Sequence, residues 1–205
     1  MSTKRTLTAL AGIAAGLALL AGCTNTTPVP SPTTSTSTPS PSATASNPQV
    51  SPPESEDDAI TDAETVLTQY FVVRGEVNAA GGTDTAPLEA WATGRALEVA
   101  VNDAAGIAKG PILNTDQKNI DGPGKTEGAI KYETTASYGQ EWEGVENGLI
   151  TINACQDSSE YKIYASDGSE AMRPEARSTF DYQVVYDADS QKWLVYDLIS
   201  LGESC

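Results

Sequence analysis

The chain has no histidine among its 205 residues. That absence removes the usual general base near neutral pH, the commonest metal ligand, and every Ser-His or Cys-His nucleophile arrangement. Cysteine is scarce, with three in all at Cys23, Cys155 and Cys205. A zinc site is not expected, because the last two are better used as a disulfide. Basic side chains are also few, 12 Lys and Arg against 28 Asp and Glu, for a net charge of −16. A field of that sign repels phosphate backbones and anionic lipid headgroups. Nucleic acid is thereby excluded as a partner, and so is direct adhesion of the charged part to a bilayer. No phosphate-cradling glycine loop lies between a strand and a helix, and Asp121-Gly122-Pro123-Gly124 reads as a turn. No cofactor, metal or catalytic motif is expected.

Long apolar runs are missing too, apart from one at the start. Lys4 and Arg5 precede an uncharged stretch from Leu7 to Leu20. That is the layout of a signal peptide, and the run is shorter than the ~20 residues a membrane-spanning helix needs. It ends in Leu20-Ala21-Gly22-Cys23. This stretch resembles the lipobox of bacterial lipoprotein precursors. The resemblance implies that residues 1–22 are cleaved, that the Cys23 thiol carries a diacylglycerol, and that Cys23 becomes the mature N-terminus. The alternative is an ordinary secretory signal followed by an incidental cysteine. Two or three acyl chains anchor a protein stably where one does not. The expected location is therefore the extracytoplasmic face of the cell membrane, with the membrane itself as a partner through the lipid on Cys23.

Residues 24–53 carry no charge and consist almost wholly of Ser, Thr, Pro, Ala and Asn, with eight of the 12 prolines of the chain. Such a composition buries too little apolar surface to offset ordering entropy, so residues 23–53 read as a lipidated cysteine followed by a disordered linker. Its reach is on the order of 90 Å fully extended and roughly 30 Å as a coil. Ser/Thr/Pro stalks are also common sites of O-glycosylation. With the leader removed, ten basic and 28 acidic side chains remain, and all of that charge falls after Pro53.

Residues 54–205 are of one-domain length and long enough to bury a core. Glu54, Glu56, Asp57 and Asp58 supply negative charge suited to a helix N-terminus, and Thr61-Asp62-Ala63-Glu64 fits a capping box. Ile60, Ala63, Leu67, Tyr70, Phe71 and Val77 form a helical stripe ended by Gly81-Gly82. Pro87 opens a second helical region with Leu88 and Trp91 on one side, and Ala96–Ala105 reads as a third helix stopped at Gly106. Beyond Gly110 the period changes. Strands are expected around Ala129–Tyr138, Gly148–Cys155, Thr179–Tyr186 and Lys192–Leu201, with Asp187-Ala188-Asp189-Ser190 as a hairpin turn. Helices first and antiparallel strands later make an α+β fold.

Once Cys23 is lipidated, Cys155 and Cys205 are the remaining cysteines, and outside the cell two such residues usually pair. A free-thiol or redox role is the competing reading. Ala154-Cys155-Gln156-Asp157-Ser158, the late hairpin with Trp193-Leu194-Val195, and Gly202-Glu203-Ser204-Cys205 resemble actinobacterial lipoproteins and secreted proteins of the NTF2-like, cystatin-like type. The resemblance implies N-terminal helices packed into a strongly curved antiparallel sheet, a cone, and the Cys155–Cys205 pair. It carries no function, since that superfamily hosts enzymes, binders and structural modules.

Enzymes of the NTF2-like kind work with carboxylates and tyrosines inside the cone. Asp197 shares a strand face with Trp193, Val195 and Ile199 by simple alternation, where burial would raise its pKa. Tyr138 and Tyr182 are the candidate hydrogen-bond donors to a substrate oxygen. The alternative is a solvent-facing Asp197 with Leu194, Tyr196 and Leu198 in the core. Asp187 and Asp189 alternate like part of a calcium loop but lack its glycine and distal glutamate, so a solvated turn is expected. Trp91, Trp142 and Trp193 read as core or cone-lining residues. Trp142 is set apart in Tyr138–Gly144, an exposed strand end or loop where it could meet a basic or sugar partner.

The sequence thus points to a non-catalytic, membrane-tethered module that binds an extracellular protein or a small-molecule ligand. Two alternatives remain open at this stage. One is a small-molecule carrier, or an isomerase- or dehydratase-type enzyme, using the cone cavity. The other is a phage- or prophage-encoded surface lipoprotein acting in superinfection exclusion.

Overall fold

A computed structural model describes residues 46–205, apart from Pro174. The signal-peptide segment, Cys23 and the linker up to residue 45 lie outside the described residues.

Helix α1 (Glu56–Ala79) is capped by Ser55, whose hydroxyl accepts from the Asp58 N–H at 3.2 Å. The expected capping box at Thr61 is not a helix start. The Thr61 hydroxyl donates to the Asp57 carbonyl at 2.9 Å, already within the helix. Three acids in the first turn, Glu56, Asp57 and Asp58, suit the positive end of the helix and bring its start upstream. The predicted stripe is buried at Ala63, Leu67, Tyr70, Phe71 and Val77, with Ile60 half-buried. Gly81 and Gly82 follow at φ +92° and +67°, turning the chain out of the helix.

A 3-10 turn, Ala86–Ala90, delivers Leu88 and Trp91 to the core. Helix α2 (Gly94–Lys109) does not stop at Gly106; it ends at Gly110. One interior glycine costs only about 1 kcal/mol, and continuing the helix buries Ile107 in the next position.

The second half is antiparallel. A four-stranded sheet runs in the order β4 (Lys131–Trp142), β5 (Val145–Asp157), β7 (Arg177–Asp187), β8 (Lys192–Ser200). Two small ribbons accompany it, β1 (Ile112–Leu113) with β2 (Asn119–Ile120), and β3 (Lys125–Glu127) with β6 (Lys162–Tyr164). The fold is thus mixed α+β, as the order of elements predicts. Asp187 makes the β7–β8 turn by accepting from the Asp189 N–H at 2.9 Å and the Ser190 hydroxyl at 2.8 Å. These bonds hold its carboxyl below the usual carboxylate range.

Helix α1 touches all four strands of the main sheet, and α2 packs along β8. Ile150, Ile152 and Ala154 of β5, Tyr182, Val184 and Tyr186 of β7, and Trp193 and Val195 of β8 face the helices in one cluster. Ala96, Ala100 and Ala104 line the buried side of α2, small enough to let its backbone approach. The Tyr138–Gly144 segment is the end of β4 and its hairpin turn rather than a free loop. Trp142 is half-buried, its ring centroid 5.3 Å from that of Tyr196.

Cys155 and Cys205 form a disulfide with Cα atoms 5.8 Å apart. It fastens a C-terminal tail that also runs beside β7, where the Thr179 N–H donates to the Glu203 carbonyl at 2.8 Å.

The packed chain begins earlier than Glu54. Asn47 is buried, its amide donating to the carbonyls of Ala90 at 2.9 Å and Trp193 at 2.8 Å. The Val50 N–H donates to the Gln191 carbonyl, and the Tyr186 hydroxyl to the Val50 carbonyl at 3.0 Å. Composition placed this stretch in the linker; specific hydrogen bonds, which composition does not encode, fix it to the domain. Asn47→Ala leaves two carbonyls without that donor and is expected to cost about 2 kcal/mol. Urea unfolding of the variant checks this, and an unchanged midpoint would contradict it.

Candidate functional site

A cavity of about 510 Å³ opens where the C-terminal half of α1 meets α2 and β6. That volume is within the ~300–1,000 Å³ typical of small-molecule pockets. Most of the wall is apolar, including Ile107, Ile112, Leu113, Ile130, Ile163 and Met172. Its polar groups come from α1 and α2, at Arg74, Asn78, Asn102 and Asp103, and from the β5–β6 region.

Arg74 and Asn78 lie four residues apart, so they project from one face of the helix, in line with the buried stripe above them. Arg74 reaches across to α2, forming an ion pair with Asp103 in which its side chain is 14% exposed. Asn78 is 3% exposed, and its amide donates to the Tyr161 hydroxyl at 3.0 Å. One atom of each side chain is left without a partner: the Nε donor of Arg74 and the Oδ1 acceptor of Asn78. Both atoms are fully buried rather than open to the cavity, and the indole N–H groups of Trp91 and Trp193 are without a partner in the same way.

A second arginine, Arg173, also lines the cavity, but its guanidinium is occupied. It donates to the carbonyls of Ser158, at 2.8 Å, and Tyr161, and lies 3.7 Å from Glu170. Glu170 accepts from Lys162 at 2.7 Å, and that bond, with the Arg173 charge, holds its carboxyl below the usual range.

The residues singled out from sequence are not brought together here. Tyr182 is fully buried on the helix-facing side of β7, and burial pushes its phenol well above the ordinary tyrosine value. Its hydroxyl donates to Gln156 Oε1 at 3.0 Å, and Gln156 lines the cavity, so Tyr182 touches the wall at one remove. Tyr138 and Asp197 lie on the other face. They sit at opposite ends of a cross-strand row, Tyr138–Thr151–Gln183–Asp197, three strand spacings or roughly 14 Å apart.

Alternation put Asp197 beside Trp193 and Val195, but a β-bulge overturns that. Val184 pairs with Val195 and Gln183 with Asp197, leaving Tyr196 as the extra residue. Past the bulge Leu198 turns to the core and Asp197 away from it. Its carboxylate lies 3.7 Å from Arg95 and accepts from the Leu198 N–H. Neither Asp197 nor Tyr138 lines the cavity.

Arg74 and Asn78 were missed, though the helix carried a signal. The apolar stripe that runs through Leu67 and Tyr70 reaches position 74 on the same face and meets an arginine, then an asparagine at 78. A charged residue on an otherwise buried stripe points to an internal partner or a cavity.

Fold and cavity together define an α+β domain with a small-molecule-sized opening at the far end of its first helix. The solved structure of the intermembrane-space region of the chloroplast protein ARC6 has a similar fold, with a TM-score of 0.51. The likeness covers 74% of this chain and 100% of that one at 14% identity, and it bears on the fold alone. No family model matches the sequence, and no curated protein matches it.

Proposed function

We propose that this chain is an extracytoplasmic lipoprotein, anchored through Cys23, whose NTF2-like cone is a non-catalytic ligand-binding module. The observation that carries the binding role is the cavity between α1, α2 and β6, about 510 Å³ with a mostly apolar wall. The non-catalytic reading rests on the scatter of Asp197, Tyr138 and Tyr182 over two faces of the sheet.

The point of tethering agrees with this role. Asn47 and Val50 lie against α1 near Asp62 and Val66. Arg74 is 12 residues further on, roughly 18 Å along the helix axis. A domain held at one end by its tether presents the cavity at the other.

The anchor is tested by Cys23→Ala and fractionation of the cells. The account expects the variant in the soluble or culture fraction, and unchanged membrane retention would overturn it. Ligand carriage is tested by native mass spectrometry of the protein from its own host, set against its denatured mass. A small-molecule mass lost on denaturation is expected, and identical masses would count against it.

A further inference from the structure

We infer that the cavity takes up the alkyl chain of a single-chain amphiphile and leaves its polar head in solvent; this rests on the binding role proposed above. The first support is that the polar wall is already committed within the protein. Arg74 is paired with Asp103, and the Arg173 guanidinium is taken up by the carbonyls of Ser158 and Tyr161 and by Glu170. Asn78 donates to the Tyr161 hydroxyl, and Gln156 accepts from the Tyr182 hydroxyl. The Ser158 hydroxyl donates to the Ala176 carbonyl at 3.0 Å. Asn102 is exposed, its side chain open to water. To be held by this wall, a ligand head must exchange one existing contact for another, with little net gain.

The apolar part of the wall supplies the second support. Ile107, Ile112 and Ala171 line the cavity as buried side chains, whereas Leu113 and Met172 line it while 41% and 52% exposed. These last two therefore stand at the mouth, joined where the Met172 N–H donates to the Leu113 carbonyl at 2.7 Å. Large apolar side chains left open beside a cavity mark a surface that a ligand covers. Interior and rim make one apolar track, along which a chain buries area at both while its head lies beyond the rim.

The experiment is isothermal titration calorimetry of the chain of residues 23–205, its disulfide formed and Cys23→Ala in place so that no lipid is attached. One series runs from 1-pentanol to 1-octanol. A second keeps the eight-carbon chain and changes the head, comparing 1-octanol, octanoate and octylamine. About 0.5 M salt screens the acid excess of the domain, which otherwise favours the amine over the carboxylate.

Affinity is expected to rise about fourfold with each added methylene. The three heads are expected to agree within roughly threefold, less than one methylene contributes. Gly106→Trp places a side chain in the cavity from α2 and is expected to weaken 1-octanol roughly tenfold or more. A head preference larger than threefold would overturn the inference and give the selection to the polar wall. Affinity that does not grow with chain length would overturn it too, as would undiminished binding to Gly106→Trp. Absence of any 1-octanol binding is a separate outcome, in which the binding role itself fails.

Discussion

Gly82→Ala is expected to destabilise the domain by about 3 kcal/mol, a fall in Tm of roughly 10 °C for a chain of this size. Two effects add at this position. Gly82 has φ +67°, where an L-residue loses roughly 1–2 kcal/mol. A Cβ built there would also stand 2.2 Å from the Ala104 carbonyl oxygen and 2.8 Å from its carbonyl carbon. Backbone atoms of α2 cannot swing aside like a side chain, so the exit of α1 and the body of α2 must separate. Gly81 supplies the control, since it has φ +92° but no atom within 4 Å of its Cβ position. Gly81→Ala therefore shows the conformational loss alone. Denaturant unfolding of the two variants measures the difference, and equal losses would contradict the close helix approach on which the cavity's shape depends.

Loss of the disulfide is expected to have a comparable or larger effect. Cys155 and Cys205 are 50 residues apart in sequence, for which chain-entropy reasoning gives about 4 kcal/mol. Cys205→Ser should lower the stability by that order and free the tail after Ser200. Gln156 beside Cys155 lines the cavity but neither cysteine does, so the folded variant should carry the same small molecule as the wild type in native mass spectrometry. Thermal unfolding with and without reductant reads the first effect. A variant as stable as the parent would show that the unfolded chain gains little from release of the loop.

Much of this architecture was legible in the sequence because it rests on local periodicity. The apolar stripe from Ile60 to Val77 needs only a 3.6-residue repeat, and Asp187–Ser190 needs only turn chemistry. The two cysteines left for the domain could be read by counting. Features that depend on a neighbour in space were not legible. The bulge at Tyr196 reverses the strand face between Val195 and Asp197, and nothing in the spacing announces it. Asn47 looks like one more polar linker residue until the carbonyls of Ala90 and Trp193 are set beside it. Gly106 looks like a helix stop, yet α2 runs through it, because Ile107 gains more from burial than the glycine costs. The candidate site was hidden for a related reason. Arg74 and Asn78 become informative only when α2 and the β6 region are set beside them around a cavity.

That same Gly106 offers the most direct test of the central claim, that this cavity is the ligand site. It lines the cavity from within α2, and a side chain added there meets no atom within 4 Å of its Cβ. Gly106→Trp should therefore fill the space without straining the helix. The measurement is the native mass of wild type and Gly106→Trp, both purified from the natural host, each against its denatured mass. The account predicts a bound small molecule on the wild type and none on the folded variant. The same result for both proteins, bound or unbound, would contradict it.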